Sequence, residues 1–514
     1  MNAATENKTP PVTAADRWLC LFIAVVVSLT SVLCLGKTSF NWGDDPAAYM
    51  SEGFAIADGR LEEQAMLNVM LHPTKLPEDM EGGLVYVWGF PLLLAAEYRL
   101  VGYDTTNFSS LIYYKLPSAI LLGMSAAVLF LLLRRRFGRE ASLIASLFFG
   151  LCYELLLFVD VLIDTDILFL MLSVAIFWLI DLYLAEERIK RRVLYALALG
   201  VLLWMAYETR LNGVTLLFVL LAAQLVQLLR KKSFRTMRDG KTLVCALLPY
   251  AGCAALIFAS RLVLPAATSF TGDFRSINAG KAVFQLGYYG GKICVWLGQN
   301  LLRVGADTIP QAVFLVLGLP AAALALWGIL KNGGKENLHL TVFFLGTVVG
   351  AALLPYLQRL RYMYGVLPIL VMYVLYGLRN AADFLRKKGH ALRLSRALTV
   401  ALCLYAFVPG ILYAVQPRAD EGPFSTDAIE TWRYLQSETD EDDVIFFKKP
   451  RMLYLNTGRK SLCEINGHTP EDADYYLVGV ELSGTLELPE SCGSDFHEIW
   501  RNGSFALYEK NATE

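Results

Sequence analysis

Apolar runs of about twenty residues recur along the chain, and a run of that length crosses a bilayer as a helix. They predict about eleven spans, at 18–36, 112–133, 140–158, 166–184, 193–210, 213–229, 242–263, 310–330, 338–356, 361–378 and 397–415. The polar residues between them are sorted by sign. Alternate connections carry Arg134, Arg135, Arg136 and Arg139, then Arg188 to Arg192, Arg230 to Lys241, Lys331 with Lys335, and Arg379 to Arg396. Basic connections stay on the cytoplasmic side, so the others are expected outside: loops 37–111 and 264–309, and the tail from Gln416 to Glu514. With the N-terminus inside, the alternation closes and the tail lies outside. The first span is expected to remain as an anchor, since the residues before Trp18 are barely basic and no small-residue cleavage site follows.

In the tail the periodicity changes. Asp427 to Gln436 reads as an amphipathic helix, while Asp443 to Phe447, Asp474 to Val480 and Phe505 to Tyr508 read as strands. The division expected is therefore a membrane domain, 1–415, and a small α/β domain outside it, 416–514. Composition agrees: 55% hydrophobic and 18% charged residues over 514 positions describe a polytopic membrane protein, and a net charge of −1 adds little. The basic runs are topology signals, so no nucleic-acid partner is expected. Cysteines in the spans are small hydrophobes; Cys463 and Cys492 lie in the tail, where they have the opportunity to pair. No GxxxxGK[ST] or GxGxxG loop and no His/Cys cluster with zinc spacing is present, which leaves a nucleotide-driven pump or a zinc hydrolase unsupported.

What composition leaves unexplained is a set of charges at the ends of the spans. Glu154, Asp160, Asp164, Asp166, Glu208, Arg210, Arg261, Arg359, Arg361 and Tyr362 all fall toward the outer face, and Asp44 and Asp45 follow the first span by a few residues. A charge at mid-bilayer costs roughly 2.5–3.5 kcal/mol on insertion scales, so one near a helix end is cheap and each alone is explained by snorkelling. Acids and bases gathered at one face are not so easily dismissed. Transporters hold their charges near the midplane, whereas this distribution suits a site worked from the surface.

Several stretches resemble one family. Trp42-Gly43-Asp44-Asp45-Pro46-Ala47-Ala48-Tyr49, followed by an amphipathic helix through Ala55 and Gly59 and by Trp88-Gly89-Phe90-Pro91, is similar to the first outer loop of the C-type polyprenyl-phosphate-sugar glycosyltransferases. That family includes the protein O-mannosyltransferases and the lipid A aminoarabinose transferase. Leu116-Pro117-Ser118 leading to Arg134 through Arg139 resembles their second span, Thr165-Asp166-Ile167-Leu168-Phe169 the start of their fourth, and Arg361-Tyr362 before Val366-Leu367-Pro368 a late span near the donor phosphate. The resemblance implies a polytopic C-type glycosyltransferase fold and an inverting transfer of sugar from a polyprenyl phosphate to an acceptor that is a protein, a lipid or a glycan. It implies a carboxylate base among Asp44, Asp45 and Asp166, with Arg210, Arg361, Tyr362 and Arg359 (or Arg261) at the donor phosphate. Tyr49, Asp164, Glu208 and Trp88 are the further cavity residues.

Between the two adjacent aspartates the residues leave an alternative. Tyr49 stands four after Asp45, which favours Asp45 as base with Asp44 orienting the acceptor or a metal; the order within the pair favours Asp44. The pair and Pro46 also suit the start of a helix. The residues point to no definite cofactor, and a carboxylate-bound divalent cation stays open. Where the aminoarabinose transferase has a Lys-Pro-Pro stretch this chain has Val87 to Pro91, which argues against the same acceptor. Tyr86, Trp88, Tyr288, Tyr289 and Trp296 suit sugar stacking, although a membrane belt explains them as well, and Gly287, Gly290 and Gly291 suggest a mobile loop. A transporter or flippase of lipid-linked sugars is the competing class, and a membrane receptor with a sensor tail a third.

Overall fold

The computed structural model describes residues 12–511 apart from 72–85, 107, 232–239, 265–278, 306–307, 335–336, 355–359, 388–395, 417–418, 465–467 and 493–494. Arg359, Lys335 and parts of the basic stretches 230–241 and 379–396 lie outside the described residues. The helices are α1 (Ala14–Leu33), α2 (Asp44–Asp58), α3 (Leu61–Leu71), α4 (Gly89–Val101), α5 (Leu111–Arg134), α6 (Arg139–Gly150), α7 (Tyr153–Val161), α8 (Asp166–Ala185), α9 (Ile189–Thr209), α10 (Val214–Lys231) and α11 (Gly240–Val263). They continue with α12 (Ala279–Leu302), α13 (Gln311–Asn332), α14 (Leu338–Ala352), α15 (Leu367–Lys387, entered through a 3-10 turn, Leu360–Val366), α16 (Arg396–Tyr405) and α17 (Val408–Val415). Among the described residues nine of the expected spans fall on segments long and apolar enough to cross a membrane, whereas 193–210 falls on α9 and 338–356 on α14 (15 residues), which are not among those nine. The protein is a multi-pass membrane protein.

Two spans are broken within their length, α6 from α7 and α16 from α17. A break inside a membrane strands carbonyls that have no water to turn to. One side chain meets both breaks. Arg303 is buried and donates to the carbonyls of Phe148 (2.8 Å) and Leu151 (2.8 Å) at the first and of Ala406 (2.6 Å) at the second. Its own backbone sits at φ 59°, an unusual conformation for a residue with a Cβ, which its three carbonyl partners hold in place.

The 264–309 segment differs from expectation. Its glycines do not form a loop: residues 279–302 make α12, which packs along α13. A Cβ at Gly298 would lie 2.0 Å from the Phe314 carbonyl oxygen and one at Gly318 1.8 Å from that of Cys294, so glycine lets the two backbones touch. Close packing of buried Tyr289, Ile293, Trp296 and Leu297 then outweighs the low helix propensity of Gly287, Gly290 and Gly291.

The tail folds as α18 (Thr426–Glu438) and α19 (Pro450–Thr457) with a five-stranded sheet of order β2-β1-β3-β5-β4. β1 (Val444–Phe446), β3 (Tyr475–Gly479) and β5 (Phe505–Lys510) stand where the sequence placed strands; β2 (Lys460–Leu462) and β4 (Phe496–Arg501) were hidden in polar stretches. β2 and β3 run parallel to β1, while β5 is antiparallel to β3 and β4. Cys463 and Cys492 are both buried and form no disulfide with each other.

This tail does not hang free. Trp42 of the first loop packs edge-on against Trp432 and Phe447 and tilted against Phe505, Arg433 donates to the Thr106 carbonyl (2.9 Å), and α19 lies along α2. One apolar core runs without interruption from the membrane helices through the first loop into α18, β1 and β5.

Gly298→Ala is expected to lower the thermal unfolding midpoint in detergent, by an overpacking cost of about 1–3 kcal/mol. Gly290→Ala meets nothing within 4 Å and should be neutral or stabilising.

Candidate active site

Helix α2 begins at Gly43, whose extended backbone (φ −72°, ψ 126°) leaves Asp44 and Asp45 as the first two helical residues. Acids belong in a first turn, where the amide dipoles favour them, and Gly59 at φ 74° closes the helix. Consecutive helical residues point about 100° apart. The two carboxylates therefore separate, and each meets a different part of the protein.

Asp45 faces a cavity of about 190 Å³ lined by Tyr49, Tyr86, Asp164, Arg210, Arg361 and Tyr362, together with Val87 and residues 209–212. Arg361 joins two acids across it: Nη2 donates to Asp45 Oδ2 at 2.9 Å, and Nη1 to Asp164 Oδ2. Asp164 is buried, and its other oxygen takes the Thr165 amide (2.6 Å) and hydroxyl (3.1 Å), which turns the chain into α8. Asp166 opens that helix and accepts from Arg210 Nη1, which also reaches the Thr165 hydroxyl at 3.2 Å. The second Asp166 oxygen is buried without a hydrogen-bond partner. Tyr362 lies under both guanidinium groups, 5.1 Å from Arg210 and 5.5 Å from Arg361, as in cation–π contacts.

Behind Asp45 stands Tyr86. Its hydroxyl donates to Asp45 Oδ1 (2.7 Å) and accepts from Arg451 Nη1 (3.1 Å), and its ring packs on Tyr49 at 4.1 Å between centroids. Burial acts to raise the Asp45 pKa, but Arg361, the Tyr86 hydroxyl and Arg451 together hold it below the ordinary carboxylate value. Asp45 is therefore an anion near neutral pH, with its side chain 40% exposed to the cavity.

Asp44 points the other way, into the seam with the tail. It is buried, and its carboxylate oxygens lack side-chain donors, facing instead the start of α19, with Lys449, Arg451 and the Met452 amide nearby. Burial is the largest influence and pushes its pKa up to about 6, against the pull of Arg451 and Lys449.

The structure thus brings Asp45, Tyr49, Asp164, Asp166, Arg210, Arg361 and Tyr362 together, and leaves two expected residues a layer behind. Glu208 accepts from Ser260 (3.1 Å) and pairs with Arg261 (3.1 Å) rather than lining the cavity. Trp88 is buried against Ala65, displaced because Gly89 packs directly on the Glu208 backbone; Val87 takes the place at the wall. Asp160 binds the Gly36 amide, the Tyr413 hydroxyl (2.7 Å) and Lys115 (3.6 Å), and Glu154 accepts from Tyr364 (3.2 Å); both serve elsewhere. Arg359 lies outside the described residues. Among those residues no group of three or more His, Cys, Asp or Glu side chains is arranged to hold a metal ion. The contribution missed by the sequence is Arg451, a tail residue whose neighbours carry no motif.

Residues 106–250 match the family described as dolichyl-phosphate-mannose-protein mannosyltransferase. The structure of ArnT from Cupriavidus metallidurans bound to undecaprenyl phosphate superposes with a TM-score of 0.55 at 10% identity, over 97% of this chain and 99% of that one. The archaeal oligosaccharyltransferase AglB from Archaeoglobus fulgidus, in complex with an inhibitory peptide and a dolichol-phosphate, gives 0.52 at 15% identity over 91% and 70%. The fold is that of the C-type glycosyltransferases. Among curated proteins none matches the sequence.

Asp44 has a folded-state pKa near 6 against an ordinary value of 3.8, so the folded protein binds the extra proton and stability falls as pH rises from about 4 through 6. Asp44→Asn should abolish that fall and, above pH 6, raise stability by up to roughly 3 kcal/mol. Thermal unfolding followed across this pH range checks both.

Proposed function

We propose that this protein is an inverting glycosyltransferase, which moves a sugar from a polyprenyl phosphate to an acceptor hydroxyl at the outer face of the membrane, with Asp45 as the base. One observation carries the reading: an ionised, cavity-facing carboxylate is fixed by the same arginine that holds Asp164, beside a second arginine, at one end of a membrane bundle of this fold. Sidedness is supported by α8, whose first residue, Asp166, is in the site. Its other end carries Asp181 paired with Arg135 and Arg136, basic residues of a kind retained in the cytoplasm.

In the proposed step the acceptor oxygen attacks the anomeric carbon as its proton passes to Asp45. The bond from that carbon to the phosphate oxygen breaks, and the lipid phosphate leaves with the electron pair. A positioned carboxylate contributes typically 10²- to 10⁴-fold. Arg210 and Arg361 supply positive charge where the phosphate gains its negative charge, and Tyr362 beneath them limits their movement. The lipid chain stays among the helices, which explains why the site stands at their ends. The bound undecaprenyl phosphate and dolichol-phosphate of the two structural neighbours support a donor of this class.

Purified protein incubated with a panel of polyprenyl-phosphate sugars and acceptors should consume one donor and release lipid phosphate by mass spectrometry, with inverted anomeric configuration by NMR. Asp45→Asn should lower kcat by 10²-fold or more while donor binding persists. Transfer unaffected by Asp45→Asn would overturn the assignment; lipid-linked sugar crossing vesicles without bond formation would instead establish a flippase.

A further inference from the structure

The tail contributes one side chain to the catalytic cluster, and that side chain is buried as if its charge were needed there. Arg451 is only 3% exposed, sits in the first turn of α19, and reaches across the seam between the two parts of the protein. Its Nη1 donates to the Tyr86 hydroxyl at 3.1 Å and stands 3.9 Å from Asp45 Oδ1. Its guanidinium lies 5.8 Å from the centre of the Tyr86 ring. Nε and Nη2 are buried without hydrogen-bond partners, and both oxygens of nearby Asp44 are buried without a side-chain donor.

A helix N-terminus is a poor place for a cation, because the exposed amides already carry partial positive charge. Burying one there is unfavourable unless anions compensate. The compensating groups are Asp44 and Asp45, the two aspartates at the start of α2. A tail required only for packing would find an apolar residue at position 451 cheaper.

We infer that Arg451 is a positioning residue for the base: it holds the Tyr86 hydroxyl on Asp45 Oδ1, so that Asp45 is oriented toward the cavity only when the C-terminal domain is docked. Because it is placed between the two acids, it also separates their roles. Asp44 is held in the seam, and Asp45 keeps its second oxygen on Arg361. The inference rests on the proposed transferase reading for its kinetic consequence, but not for its structural one. The groups facing Asp45 are Arg361 from the 3-10 turn, Tyr86, Arg451 from α19, its neighbour Asp44, Tyr49 one turn along α2, and Asp164, Asp166 and Arg210 across the cavity. Arg451 is the cation among them that arrives from the tail.

The test uses the full-length protein in detergent and reads Asp45 directly. Carbodiimide attacks protonated carboxyl groups, so the pH dependence of Asp45 labelling, located by tandem mass spectrometry, reports its titration whether or not a substrate is known. Arg451→Met and Tyr86→Phe should each move the labelling curve to higher pH, by about a tenfold change in reactivity at a fixed pH. Their double variant should shift little further, since both remove one chain of contacts. Arg451→Lys should recover part of the shift. Arg433→Ala, which removes an exposed contact between tail and first loop, should leave the curve in place.

Unchanged labelling in both Arg451→Met and Tyr86→Phe would overturn the inference, as would an equal shift in Arg433→Ala. Where a transfer assay is established, the acid limb of kcat should move with the labelling curve while the donor KM holds. If no sugar is transferred by the wild type but labelling shifts as stated, the transferase reading fails and the positioning role stands.

Discussion

The guanidinium of Arg361 ties together three segments far apart in the chain: α2 through Asp45, the turn before α8 through Asp164, and the 3-10 turn that leads into α15. A charge at the end of a membrane helix is tolerable only if it is solvated or paired, and pairing here needs all three segments in place at once. The cavity is what remains between them. Remove the arginine, and two carboxylates across a small space repel each other while the turn beneath α8 loses its fixed end.

The same constraint recurs at several other buried charges among the described residues. Asp16 takes Arg134 and Arg139, Asp181 takes Arg136, Asp160 takes Lys115, and Glu208 takes Arg261, each a contact between helices distant in sequence. Arg303 applies it to carbonyls in place of carboxylates, allowing two spans to break. Pairing of this kind contributes specificity of arrangement more than net stability. In a bundle whose helices are nearly all apolar, it fixes which faces meet and at what height. The Gly298 and Gly318 contacts act in the same way by shape, letting α12 and α13 approach where larger residues would hold them apart.

The loop between the first two spans forms part of the site and also supports the tail. Its α2 sends Asp45 to the cavity and Asp44 to α19, and its Trp42 is seated among aromatic rings of the tail. These contacts join the tail to the first loop on both sides of the first turn of α2. The tail is thereby packed directly against the cluster, with the Arg451 guanidinium 3.9 Å from a carboxylate at a helix start.

The sequence by itself located the apolar helices, nine of which are long and apolar enough to cross a membrane among the described residues, because a bilayer imposes length and apolarity that are written locally in the chain. It singled out Asp45, Asp166, Arg210 and Arg361 through their place at span ends and their family resemblance, and these side chains do gather at one cavity; it also located three of the five strands by their apolar runs. It left open which of Asp44 and Asp45 faces the cavity, for spacing along a chain does not say what surrounds a helix. Tertiary structure decided that: two residues 100° apart on α2 meet an arginine from the membrane part on one side and the tail on the other. It also decided that Glu208 and Trp88 stand behind the wall, that the glycines of 279–302 pack a helix instead of loosening a loop, and that Arg451 enters the site. Each of these depends on a partner tens to hundreds of residues away or on a close backbone contact, and no local pattern of residues encodes either.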